Sequence, residues 1–171
     1  SNKIEMTALF AVNREPVKGT VYRLLVDGLK GGDQGAGIPL ERICAIKMTA
    51  RVLHHLNKEM DVRIISLDKI GKSIPESCLS YIALVDGSEK KMFEIIKQQQ
   101  DLIRREYRES DPGICIQASQ VKKEGEMLTR PDSRSLTEAI YLMPYGAKNR
   151  SLARMDEVTC SIIMKKIYTK Q

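Results

Sequence analysis

At 171 residues with 42% hydrophobic side chains, the chain can bury one real core, and it reads as a single domain over 1–171. It has no Trp, two Phe and six Tyr, so that core must be built from Leu, Ile, Val, Met and Ala. The net charge of +6 does not by itself indicate nucleic acid, because Lys and Arg interleave with Glu and Asp, as in SEKKMFEIIKQQQDLIRREYRESD, the pattern of a solvated helix face.

Two strands are predicted first, MTALFAVN over 6–13 and TVYRLLVDGL over 20–29, joined by a turn with Pro16 and Gly19. The stretch DGLKGGDQGAGIP follows and holds five of the eleven glycines. Pro39 then opens a helix to about Asn57, with Leu40, Ile43, Ile46, Ala50, Leu53 and Leu56 on one side. Strands over 61–70 and 77–85 come next, and Ser88 caps a second helix to Tyr107. Its apolar face is expected to carry Met92, Phe93, Ile95, Ile96, Leu102, Ile103 and Tyr107.

Asp111-Pro112-Gly113 reads as a turn, ICIQASQV as a half-buried strand and KKEGEML as a polar connection. Asp132 or Ser133 is expected to cap a third helix that stops at Pro144, and EVTCSIIMKKIYTK reads as a final strand. The order ββαββα, then βαβ, predicts an α+β fold: an antiparallel sheet with helices packed on one face, ferredoxin-like with an extension.

The glycine turn fails each familiar chemical pattern. Gly32 is followed by DQGAGI, with no Gly-Lys-Ser/Thr for a phosphate loop. Leu40 stands where a dinucleotide turn needs its third Gly, and no Ser is present for a nucleophile elbow. What remains is a strand-to-helix turn with positive φ at several glycines, or a close approach of a ligand or neighbouring backbone. His54 and His55 are adjacent on a helix, so their side chains diverge by about 100° and cannot chelate one ion together. A structural role is expected for both. Cys44, Cys78, Cys115 and Cys160 form no CxxC and lie in apolar segments, so they read as reduced core residues of a cytoplasmic protein. No apolar run approaches the roughly 18 residues of a membrane span.

The glycine turn and its surroundings resemble the aminoacyl-histidine dipeptidases, zinc-dependent peptidases. Gly28-Leu29-Lys30-Gly31-Gly32, Gly35 and Ala50-Arg51-Val52-Leu53 match a G-L-K-G-G-H-S-G turn and the helix after it. DVRIISLDKIGKSIPESC resembles that family's strand, N-A-I-P-R-E loop and strand. REYRESDPGICIQ resembles its helix end, D-P-G and strand, and LMPYGAKNRSLARMDEVTCS its L-P-N-G-V segment.

The resemblance implies a lid, or dimerisation, domain inserted in a larger metallopeptidase, with Ser1-Asn2 as a tag remnant. It implies that zinc and the catalytic groups belong to the parent's catalytic domain, so the chain would hold no cofactor and no catalytic residue. It implies as partners that domain, a dipeptide substrate and a second copy of the chain, with neither nucleic acid nor membrane. The substrate-facing residues would be Gly31, Gly32, Asp33, Lys72 and Tyr145. Three depart from the family: Asp33 stands for its oxyanion-stabilising His, Lys72 for a substrate-holding Asn, and Tyr145 for the Asn of P-N-G. A basic α+β interaction module that binds nucleic acid or a protein partner is the alternative expectation.

Overall fold

The structure, a computed structural model, describes residues 11–32, 43–71, 74–143, 146–148, 158–160 and 168–169, the last three stretches in backbone only. Strands β1 (Ala11–Val12), β2 (Arg14–Pro16) and β3 (Thr20–Asp27) lead to helix α1 (Ala45–Asn57). Then come β4 (Asp61–Ile70), β5 (Ser77–Asp86), α2 (Glu89–Glu106), β6 (Cys115–Gln120) and β7 (Glu126–Leu128). Helix α3 (Arg130–Leu142) and the short strands β8 (Gly146–Lys148), β9 (Val158–Cys160) and β10 (Tyr168–Thr169) follow.

The segment from β3 to β6 is a βαββαβ unit, and its four strands form one antiparallel sheet in the order β4-β5-β3-β6. This split arrangement is the α+β fold expected from the order of elements. Alternation sorts the two faces. Tyr22, Leu24 and Val26 of β3 stand beside Ile82, Ser80 and Cys78 of β5, all buried, and face the helices. Alternation puts Ile65 on the other face, and a register shift between Ile64 and Ser66 then brings Leu67 rather than Ser66 back to the core.

Helix α1 is buried through Ile46, Ala50, Leu53 and Leu56, with Met48 and Val52 extending the stripe as its periodicity predicts. On α2 the buried set is Met92, Ile95, Ile96, Gln99 and Ile103. Phe93 and Leu102, expected on that face, are 38% and 39% exposed, because they lie at the stripe's margins rather than over the sheet. The opposite sheet face carries a smaller cluster in which Met127 covers Val21, Ile65 and Ala83.

Met127 belongs to a correction. KKEGEML is not wholly a polar connection: Glu126–Leu128 form β7, antiparallel to β2, inside what the sequence suggested was a turn. The pair forms because Met127 is apolar and can seal the outer sheet face. The third helix is also capped differently. Its N-cap is Thr129, with Pro131 in the first turn. Asp132 and Ser133 are used elsewhere: Asp132 Oδ2 accepts from Asn13 N at 2.6 Å, and Ser133 Oγ accepts from Ile64 N at 2.9 Å. The latter bond occupies an N–H on the outer edge of β4, where an open edge would otherwise invite pairing. Within the predicted final strand, two separate strands are described, β9 paired with β8 and β10 paired with β1. Ser88 caps α2 as expected, accepting from Lys91 N at 3.3 Å. Leu40 lies outside the described residues, as does the side chain of Cys160.

Candidate functional site

Chain direction gathers the loops. β3 ends, β5 begins, β4 ends and β6 begins at the same end of the sheet, because Asp27 is opposite Cys115, Val26 opposite Cys78 and Ile70 opposite Ser77. The glycine turn, the start of α1, the 71–76 loop and the Asp111-Pro112-Gly113 turn therefore share that end.

The first glycine there is explained by close backbone approach. Gly28 has φ +79, and a Cβ on it would sit 2.1 Å from the carbonyl oxygen of Gly113. No side chain fits between these two chains, so the Gly28-Leu29 turn and the Pro112-Gly113 turn lie backbone against backbone. Gly31 is the second case. With φ +56 it is buried under the 74–76 segment, where a Cβ would meet Glu76 Cγ at 2.3 Å and Ile74 O at 2.9 Å. Half-buried Gly32 exchanges two backbone bonds with Ile74, Gly32 N to Ile74 O at 3.3 Å and Ile74 N to Gly32 O at 2.9 Å. The glycine turn and the 71–76 loop, both singled out in the sequence, are thus joined directly.

Asp33, Lys72 and Tyr145 lie outside the described residues. Of the predicted substrate-facing set, the structure describes Gly31 and Gly32, side by side at the sheet end. The residue that organises this end was read only as part of a turn. Asp111 is fully buried, and its carboxylate accepts from Lys30 N at 2.9 Å and Ile43 N at 3.2 Å. Its signal was weak: a D-P-G triplet announces a turn, not a carboxylate that turns inward.

Other reactive side chains are engaged in structure. His54 Nδ1 pairs with Glu138 Oε1, and its ring stacks on Tyr141 with centroids 4.2 Å apart, so it ties α1 to α3 as the structural reading expected. Burial raises the pKa of the Cys44 thiol and pushes that of Cys78 up to about 11, which keeps both protonated and poorly nucleophilic. Arg51 makes two 2.7 Å bonds to Glu106, and the guanidinium holds that carboxyl below its ordinary range. Among the described residues no three His, Cys, Asp or Glu side chains are grouped to hold a metal ion, and no helix is long and apolar enough to cross a membrane. A groove between α2 and β6, lined by Arg23, Phe93, Lys97, Gln100, Ala118 and Ser119, includes neither Gly31 nor Gly32.

No family model matches the chain. Over 156 residues, 88% of this chain, it is 22% identical to the cytosol non-specific dipeptidase of Escherichia coli. Its fold matches the crystal structure of an aminoacylhistidine dipeptidase from Vibrio alginolyticus with a TM-score of 0.77, at 23% identity over 88% of this chain. The chain spans about a third of the length of each, 32% and 31%. The likeness to aminoacyl-histidine dipeptidases, read first from the glycine turn, is thus borne out in sequence by one relative and in fold by the other.

Proposed function

We propose that this chain is the lid domain of a zinc-dependent dipeptidase, closing over a dipeptide held by a separate catalytic domain. The observation that carries the reading is the meeting of two sequence-distant loops, Gly31-Gly32 and Ile74–Glu76, at one end of the sheet. The pairing of Ala11-Val12 with Tyr168-Thr169 also supports it, since an inserted domain is entered and left at neighbouring points. The described residues offer no ligand set for zinc, so no step through the metal is assigned to them. In this reading zinc in the catalytic domain activates the attacking water. The lid excludes bulk water and supplies polar contacts along Gly31, Gly32, Asp33, Lys72 and Tyr145. Its proposed partners are that domain, the dipeptide and a second copy of the chain, and its proposed location is cytoplasmic.

Asp33 is the chemical anomaly. A carboxylate where the family resemblance implies an imidazole would repel the oxyanion that forms on the substrate carbonyl. At an effective dielectric near 20, two like charges about 4 Å apart cost on the order of 4 kcal/mol, roughly a thousandfold in rate. Lys72, on the loop joined to the glycine turn, can offset part of this with its positive charge. The test is Asp33→His in the zinc-loaded protein that carries this chain, assayed on dipeptides. The rate is expected to rise by as much as about a thousandfold, while the 171-residue chain with added zinc hydrolyses nothing. An unchanged rate in the variant, or zinc-dependent hydrolysis by the isolated chain, overturns the reading.

A further inference from the structure

We propose that Asp111 and Lys47 are positioning residues that lock three loops to the first turn of α1. The proposal rests on the lid reading for what those loops serve, but the lock itself is read from the described contacts. Asp111 accepts with one carboxylate oxygen from Lys30 N and with the other from Ile43 N. One buried side chain therefore holds both ends of the segment 31–42, the entry from β3 and the approach to α1. Two residues past Ile43, Ala45 N donates to Pro75 O at 3.4 Å, which attaches the 71–76 loop to the same turn.

Lys47 supplies the third attachment. Its Nζ donates to Ile140 O at 2.9 Å, Tyr141 O at 2.5 Å and Met143 O at 2.6 Å. These are carbonyls at the end of α3, where backbone oxygens lack helical partners and a cation is favoured. The ammonium has three donors to match them. Met143 is followed directly by Pro144 and Tyr145, the start of the third loop expected at the substrate. The entry to the glycine turn at Lys30, the 71–76 loop at Pro75 and the end of α3 at Met143 are thus tied, directly or through Asp111, to residues 43–47.

The chemistry specifies the variants. Asp111→Asn keeps size and shape but leaves one oxygen to accept, so one buried N–H faces an amide NH2. Lys47→Met keeps the aliphatic stem and removes the three donors. Hydrogen exchange on the 171-residue chain reads the lock without reference to catalysis. Asp111→Asn is expected to speed exchange at Lys30 and Ile43 roughly 10–100-fold, the loss of a hydrogen bond to a charged group, with the amides of β3 and β5 unchanged. Lys47→Met is expected to speed exchange selectively at Met143, the amide at the end of α3 that the ammonium holds in place, and it serves as the independent arm if Asp111→Asn fails to fold. Exchange that is unchanged, or raised uniformly across the sheet, overturns the lock. In the zinc-loaded protein carrying the chain, Asp111→Asn should lower kcat about tenfold with KM less affected, since the loops would be misplaced during the reaction. Selective exchange with unaltered kinetics supports the lock and overturns the lid reading instead.

Discussion

The two ends of the sheet are closed by different means. At the end near residues 86–91, much of the closure is local, though Arg63 also donates to Glu15 across 48 residues. Asp86 is the last residue of β5, Ser88 caps α2 by accepting from Lys91 N three residues on, and Met60 N returns to Leu56 O four residues back. Asp61 binds Arg63 two residues along the same strand. At the glycine end the partners are distant. Asp111 reaches Lys30 across 81 residues and Ile43 across 68, and Lys47 reaches Met143 across 96. A local closure forms whenever its own segment folds. A distant one forms only when the whole sheet has assembled, so its loops are positioned by the fold rather than by their own sequence.

Breaking the glycine end should cost most. Gly28→Ala places a methyl group against Gly113 O at a backbone angle that L residues rarely adopt. We expect a stability loss on the order of 3 kcal/mol or more, read as a lowered urea midpoint. A loss below about 1 kcal/mol would show that the two backbones separate cheaply.

At the local end the largest effect is expected from Asp61. Its hydrogen bond from Arg63, followed by the nearby positive charges, holds the carboxyl below its ordinary range despite burial. Because the folded pKa is the lower one, this group stabilises the fold above its unfolded pKa of about 3.9. That contribution is lost as pH falls through the depressed folded value. Asp61→Asn should cost about 2 kcal/mol at neutral pH and flatten the fall in stability below about pH 4. Thermal melts from pH 2 to 7 measure both, and an unaltered acid slope counts against the pairing. The smallest effect is expected from Ser88→Ala, about 1 kcal/mol. Its loosened exchange should stay within the first turn of α2. If Lys30 or Ile43 also exchanges faster, the two ends are coupled and the contrast between them fails.

This contrast also marks what could be read in advance. The α1 stripe was legible because its buried residues repeat at helical spacing, and Ser88 because a cap acts on its own helix. β7 was missed because Met127 and Leu128 are a short apolar pair at the end of a polar run, and only the outer sheet face makes the burial of Met127 worthwhile. The cap of α3 was misplaced because Asp132 and Ser133 are good capping residues whose side chains found Asn13 and Ile64 instead. At the candidate site, the glycines announced an unusual turn, while their partners, Gly113 and the 74–76 segment, could not be named.

By itself the amino-acid sequence determined the kinds of element, the apolar faces that pair them and the presence of an unusual glycine turn. Periodicity and glycine content express these locally, and they carry the likeness to the dipeptidases. Only the tertiary structure decided that Asp111 faces inward, that Lys47 ends α3, and that loops 40 or more residues apart meet at one end of the sheet. The reason is physical: a buried carboxylate, or a half-buried ammonium, must find hydrogen-bonding partners, and which ones come within reach depends on strand order and chain direction, not on its neighbours in sequence.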